Sequence, residues 1–481
     1  MLIVNKIFED SPQVKEERAK GEPVAVEPDD NGVIRRLREE ADDYSLEDHG
    51  GERLECWLLL ESGEMLWLLQ KEGLSRAITE KADVVATTMD DLAAKTLLVR
   101  LPGQDTHSLP LDRTTIGQNS DQTVHLVIFG VSPQAEALAV NAALTAHFPN
   151  YCRDSRLRTR ITVVGYPVTA FRSRMLQRYR HLFEHCYHRT LDLEESNPQC
   201  ILHRPMYEKT RKDFVDIEWE FVNGSTANDA IRQKLAEWAC DDRQQLTVAM
   251  CYEDEGENVT TAFGLPEEVY AHEVPVLCYT HGESLIENMA GDHSHKVIPY
   301  SGDICRLATL RTLKQMAMRV NYVYNHCFAL APDDPVTAPA AIDEQQMEIQ
   351  WTSMGSFTKQ CSCLFNAMTL GTKLHSVGIG SVEWKDYYAL SKEEIEMLAE
   401  VEHNRWSVEE LLLGYRPVSD EEQRAVEADI NVKKKLREQK VHYDLRSYDD
   451  LRVDATGKNV NVYDKALVQG IPLIVKTCTT S

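Results

Sequence analysis

The sequence predicts an α/β fold built on a doubly wound parallel sheet, and two observations carry that prediction. Apolar, β-branched runs recur as TVHLVIFG (123–130), ITVVG (161–165), LTVAMCYED (246–254), VPVLCYT (274–280) and HKVIPYSGD (295–303). Between them lie stretches with helical apolar spacing, such as AEALAVNAALTAHF (135–148). Strand, helix, strand repeated in this way joins parallel strands across a sheet that is covered on both faces.

Taken in chain order, residues 1–50 read as an acidic arm: SPQVKEERAKGEPVAVEPDD (11–30) is rich in charge and proline, with one helix around Val33–Tyr44. Residues 51–120 read as a small α/β accessory domain. There CWLLLES (56–62) and EMLWLLQ (64–70) suggest a β-hairpin around Ser62-Gly63, and KTLLVRLPG (95–103) a further strand. Residues 121–330 hold the predicted sheet. APDDPVTAPAA (331–341) has the composition of a linker. Beyond it come a helical connector (343–385) and a mostly helical C-terminal module (386–478), with a loop-rich segment at 416–460.

A chain of 481 residues allows about three domains. Its formal charge of −25 argues against binding DNA, RNA or anionic membrane through the whole surface, because such binding needs a positive field. No run approaches the length of a membrane span, and MLIVNKIFEDSPQVKEE turns acidic too early for a signal peptide, so the expected location is cytoplasmic. The 12 cysteines are scattered, and Cys361 and Cys363 lack a second pair to complete a zinc site. They read as reduced, mostly buried thiols.

The strand ending at Gly130 runs into Ser132-Pro133-Gln134-Ala135 and a helix. This is where the phosphates of a dinucleotide would meet a helix N-terminus. Of the G-x-G-x-x-G fingerprint only Gly130 is present, with Ser132 and Ala135 in the other two places. ITVVG ends in Gly165-Tyr166, where a ribose-binding acid would be expected. NAD is therefore disfavoured, while another nucleotide or phosphorylated ligand is allowed. A serine nucleophile at Ser132 lacks the second glycine and a recognisable Asp and His. Arginines crowd residues 153–180, with Arg158 and Arg160 the expected anion contacts beside this turn; the alternative is a solvated face paired with acids. His181, His185, Cys186 and His188 can be drawn as metal ligands on one helix face, but Leu182, Phe183 and Tyr187 are equally well placed to be its core, leaving the histidines as helix surface, and His293 and His295 read as loop. No metal ligand and no catalytic residue is assigned.

Residues 391–417, SKEEIEMLAEVEHNRWSVEELLLGYRP, read as one long helix. Ser391 and Glu394 form a capping box, and Gly414 is its stop. Ile395, Leu398, Glu402, Arg405, Trp406, Glu409 and Leu412 or Leu413 share a face. Charges on such a stripe are tolerable only when hydrogen-bonded. The 441–451 loop, with Tyr443 and Tyr448, is expected to supply those bonds, with Trp406 and Tyr415 packed beneath. Glu409, nearer the end, is expected to matter less. These residues can also be read as the edge of a ligand pocket.

EHNRW (402–406), LLLGYRP (411–417), VHYDLRSYDDL (441–451) and GKNVNVYDKALVQGIPLIV (457–475) resemble the RyR domain, the module repeated in ryanodine receptors and found in bacterial proteins. The resemblance covers residues 391–475 and places motif positions at Glu402, His403, Arg405, Trp406, Tyr415, His442 and Tyr448. Tyr443 and Ser447 stand where the family's loop has prolines. Residues 123–310 more loosely resemble the TrkA-N-like, NAD-binding Rossmann-type domain of bacterial potassium-transport regulators. WTSMGSFTKQCSCLFNAMTLGTKLHSVGIG (351–380) resembles the helical piece that precedes RyR domains in such proteins, with its S-N-R triplet replaced by Ser362-Cys363-Leu364. There is no pore-forming segment and no calcium-binding loop motif, so calcium release is not implied.

These resemblances imply a non-enzymatic, cytoplasmic ligand-sensing or regulatory protein that binds a nucleotide-like or phosphorylated small molecule. The alternatives are an NAD(P)-dependent enzyme, for which no hydride-transfer motif is found, and a module that docks another protein. Self-association into a homo-oligomer stays open; DNA and membrane partners are not expected.

Overall fold

The computed structural model describes residues 30–47, 53–101, 108–194, 199–206, 212–280, 286, 296–300, 307–330, 335, 337–380, 390–452 and 459–475. Most of the expected acidic arm, part of the 331–341 stretch, and His293 and His295 lie outside them. Helix α1 (Asp30–Asp43) falls where a helix was expected.

Strand β1 (Leu54–Leu60) is followed by α2 (Gly63–Glu72), β2 (Ala82–Thr88) and α3 (Met89–Leu98). The expected hairpin is absent, because EMLWLLQ is the body of α2. Ser62 caps it by accepting from the Met65 N–H at 3.2 Å, and Leu66 and Leu69, three residues apart, are its buried side. β1 instead pairs with β2 in parallel, from Leu54 opposite Ala82 to Leu60 opposite Thr88, with α2 in the crossover. KTLLVRLPG is likewise not a strand, since its first residues complete α3, which Thr88 caps. Short leucine-rich runs carry no periodicity long enough to separate strand from helix.

The main sheet has eight strands: β3 (Thr123–Phe129), β4 (Thr159–Gly165), β5 (Tyr187–Asp192), β6 (Cys200–His203), β7 (Ile217–Asn223), β8 (Gln244–Met250), β9 (Val276–Tyr279) and β10 (Val297–Tyr300). Their order is β10-β9-β8-β3-β4-β7-β5-β6, parallel throughout except for β6 on β5. Set β5 and β6 aside, and β3, β4 and β7 run one way while β8, β9 and β10 run the other. That is the doubly wound order, with its switch point between β3 and β8.

The winding helices are α4 (Pro133–Thr145), α5 (Thr169–Arg178), α6 (Asp229–Ala239) and α7 (Glu255–Phe263). Along β3, Val124, Leu126 and Ile128 enter the core shared with α4 and α5, whereas Val127 and Phe129 enter the core shared with α6 and α7. The period of two is what a sheet buried on both faces requires. The histidine-rich stretch is not one helix: a short turn ends at His185, and β5 begins at Tyr187. His188 thus lies in the sheet, its ring stacked on His203 of β6 at 4.5 Å.

The C-terminal half comprises α8 (Leu307–Ala329), α9 (Glu344–Ser353), α10 (Phe357–Met368), α11 (Leu370–Ser376), α12 (Lys392–Leu412), α13 (Asp420–Ala428), α14 (Val432–Glu438), α15 (Asn461–Gln469) and α16 (Ile471–Val475). The segment expected to be loop-rich contains α13, which opens with its own capping box at Ser419 and Glu422, and α14. One apolar core runs without interruption from Leu97 of α3 through the β3–β4 face to Ile474 and Val475. The 331–341 stretch therefore connects helices of a shared core. Its proline-rich composition does not report what the flanking helices bury.

A fragment of residues 343–481 is consequently expected to lack a cooperative thermal transition. It loses α8, whose Leu313, Met316, Ala317 and Val323 are all 0% exposed. Near-UV circular dichroism should show no fixed aromatic packing in the fragment while far-UV helicity persists. A sharp two-state melt of that fragment would show instead that the C-terminal half carries its own core.

Candidate functional site

At the switch point β3 leaves the sheet through Gly130, whose φ is +114° and whose N–H donates to Val164 O at 2.9 Å. A Cβ on Gly130 would collide with the Cys251 carbonyl and stand 2.7 Å from Tyr252 N, so only glycine fits the crossing of the two strand ends. Ser132 caps α4, accepting from the Ala135 N–H at 3.2 Å and donating to Cys251 O. Ser132 and Ala135 are 2% and 0% exposed. Ser132 is thus committed to tying the start of α4 to the end of β8, and Ala135 to the core. At the end of β4, the Val131 side chain fills the space that any side chain on Gly165 would need. The place of the missing ribose-binding acid is therefore occupied.

The arginines sort differently from expectation. Arg160 is the second residue of β4 and pairs with Glu218 at 2.6 Å; Arg158 precedes the strand, pairs with Asp213 and lies over the Tyr187 ring at 4.2 Å. Both stand at the amino edge of the sheet. Arg160 is about 13 Å along the strand from Val164, which carries the turn, at about 3.3 Å per residue. The structure does not bring them to Gly130. Arg153, Arg156 and Arg180 pair with Asp121, Asp154 and Glu184 at 2.5, 2.7 and 2.6 Å. Arg178 bridges Glu64 and Glu136. The arginine that does reach the turn is exposed Arg174, whose Nη2 donates to Val131 O at 3.4 Å. Among the described residues, neither Arg174 nor its neighbour Arg172 has a carboxylate within ion-pair distance.

The second constellation lies in α12. Its capping box is complete, and Gly414, at φ +83°, ends it. Glu402, Arg405 and Glu409 are 1%, 1% and 0% exposed. Arg405 Nε and Nη2 donate to Glu402 at 3.0 and 2.8 Å, and its Nη1 donates to Glu409 Oε2 at 2.6 Å. The remaining partner is Lys373 of α11, whose Nζ lies 2.7 Å from Glu402 Oε2. Burial alone would raise the Glu402 carboxyl, but Arg405 and Lys373 outweigh it and hold it at about 2. Burial lowers the Lys373 pKa, with Glu402 opposing and Arg405 adding to the effect. Burial and then the adjacent Glu409 push Glu410 up to about 8.

The expected staple between this charged pair and the 441–451 loop is thus a different contact. The pair faces the connector. The loop is held one residue along, where His403 Nε2 meets Arg446 O at 2.8 Å and Nδ1 faces Asp464 at 3.5 Å. Burial lowers the His403 pKa, but Asp464 and the Arg446 carbonyl leave it raised. Around it His442 packs edge-on to Trp406 at 4.8 Å and to Tyr415 at 6.0 Å, and Tyr448 lies 5.9 Å from His403. The motif residues therefore divide into an ionic set, Glu402 and Arg405, and an aromatic set, His403, Trp406, Tyr415, His442 and Tyr448. Lys373 was not foreseen as a partner. The signal available was a lysine beside Leu374 and three residues after Leu370 in LGTKLHS.

The class defined by this geometry is an α/β protein with a doubly wound sheet and a helical half locked by a buried ion cluster. No family model matches the chain, and comparison with curated proteins and with solved structures likewise gives no match. Among the described residues no cluster of His, Cys, Asp and Glu is arranged to hold a metal ion, and no helix is long and apolar enough to cross a membrane.

Glu402→Ala is expected to cost roughly 3–5 kcal/mol, the range for breaking a buried pair. Glu409→Ala is expected to cost a comparable amount, because it too is buried on Arg405. The depressed Glu402 pKa also sets a pH window. Its contribution, about 3 kcal/mol, is present above the unfolded carboxylate pKa of about 4.3 and is lost as pH falls toward the folded value. Urea midpoints measured from pH 6 down should fall more steeply for the parent than for Glu402→Gln; parallel curves would place Glu402 in contact with water.

Proposed function

We propose that this is a non-enzymatic, cytoplasmic ligand-sensing protein whose ligand is a phosphorylated or nucleotide-like small molecule bound at the carboxyl edge of the sheet, over the β3–β8 switch point. The observation that carries the reading is the position of Arg174. It is an exposed guanidinium beside Val131, without a carboxylate partner among the described residues, at the crevice where doubly wound sheets bind their ligands. The mode of binding departs from a dinucleotide cradle. Pro133 has no N–H and Ser132 Oγ engages that of Ala135, so the arginine fork and the helix dipole, more than a ring of amides, hold the anion. Val131 packed against Gly165 weighs against NAD and so against the dehydrogenase alternative. The RyR-like helical half is the responding element, since α4 begins at this turn and packs against α12. The docking alternative draws on edge strand β6, where Ile201 and Leu202 are 54% and 45% exposed.

Calorimetric titration of ATP, a cyclic dinucleotide and NAD at two salt concentrations tests this. At least one of the first two is expected to bind, more weakly at high salt. Arg174→Ala should weaken it about 10–100-fold, the worth of a charge-assisted hydrogen bond, while Arg160→Ala leaves it unchanged. Binding of NAD alone, or of nothing, removes the reading; Gly130→Val is unsuitable as a probe because it breaks the strand crossing itself.

A further inference from the structure

A cavity with ≈ 70 Å³ of open volume lies where α2, α4 and α12 meet, away from the β3–β8 crevice. Its apolar wall includes Leu66, Leu144, Phe365 and Leu412, and its polar wall includes Asn141 and Glu409. These two polar residues are 2% and 0% exposed, and Asn141 Oδ1 and Glu409 Oε1 have no hydrogen-bond partner among the described residues. Both atoms are acceptors. An unpaired buried acceptor opposes folding unless a donor is supplied.

Asn141 cannot satisfy Glu409 by flipping its amide. The Asn141 Nδ2 already donates to Asp91 Oδ1 at 3.1 Å and to Ala137 O at 2.9 Å, so a flipped carboxamide would turn its oxygen onto two acceptors. The nearby cations are committed as well: Lys95 to Asp91, Arg178 to Glu136, and Arg405 to Glu402 and Glu409. Burial raises the Glu409 pKa, with Arg405 and then the nearby Ser362 hydroxyl opposing it. The indole N–H of Trp67 is spent on Leu412 O at 3.0 Å. What the cavity asks for is a compact group that donates hydrogen bonds and accepts none.

We propose that this cavity is a binding site for a small primary ammonium compound, ammonium itself or an amine of one or two carbons, with the N–H groups on Glu409 Oε1 and Asn141 Oδ1 and the carbons against Leu144 and Leu412. An ammonium group carries donors only, whereas water would bring lone pairs of its own to a cavity whose donors are already spent. The volume sets the size limit, since each water in the liquid takes about 30 Å³. Half-exposed Glu136 and Ala137 lie at the cavity and give it an approach from solvent. The site is independent of the phosphate reading, and no anion takes part in it.

The test uses the full chain with ammonium, ethylammonium and hexylammonium chlorides against sodium chloride at equal ionic strength. Ammonium or ethylammonium should raise the thermal midpoint and give saturable calorimetric heats; sodium and hexylammonium should not. Ala137→Leu, which adds a side chain at the cavity and removes no hydrogen bond, should abolish the shift while keeping the parent midpoint in sodium chloride. Asn141→Leu should weaken ethylammonium binding about tenfold or more. Equal midpoints in all four salts would mean that the cavity holds water or that Glu409 carries the missing proton, and the proposal would fall; so would an ethylammonium effect that survives Ala137→Leu unchanged.

Discussion

Four charges taken out of water inside the helical half set the terms for the rest of the molecule. Dehydrating an ion costs several kcal/mol even after a protein relaxes around it, so the set is tolerable only if every carboxylate meets a cation. Glu402 and Glu409 are matched by Arg405 and Lys373, and the sum is zero. Three of the four come from α12, and alone they would leave one net negative charge. The fourth must come from α11. The seating of the connector on the long helix is thus fixed by charge count and hydrogen-bond direction, where apolar contact alone would permit sliding.

A residue one position along a helix lies about 100° around it. His403 therefore faces a different layer from Glu402, and it holds the 441–451 loop through the Arg446 carbonyl. Two layers are fastened to two sides of α12 by polar groups. This explains why the helix has no plain hydrophobic stripe, since charged side chains occupy positions that leucines hold in an ordinary amphipathic helix.

What was legible in the sequence was local. The Ser391–Glu394 box and the Gly414 stop each depend on residues within a few positions of one another, and the alternation of buried strands with helices gave the sheet. What was not legible depends on distance in the fold. Arg160 and Arg174 are close in sequence, yet one lies at the amino edge of the sheet and the other beside Val131 at the carboxyl edge. Lys373 becomes the partner of Glu402 only because the chain folds back. EMLWLLQ was misread for a different reason: seven residues with five large apolar side chains suit a strand as well as a helix, and its neighbours decided the outcome.

Helix α4 joins these constraints. Its 13 residues span about 20 Å at about 1.5 Å each. Its first turn is tied to β8 through Ser132 and Cys251, and Arg178 of α5 holds Glu136 while also reaching Glu64 of α2. Further along, Asn141 meets the Asp91–Lys95 pair of α3, with Asp91 also accepting from Thr87 at 2.8 Å. Each tie is directional, so α4 cannot slide or turn without breaking several at once. An event at the switch point and an event at α12 are therefore felt by the same rigid element, and the sheet and the helical half are coupled through α4.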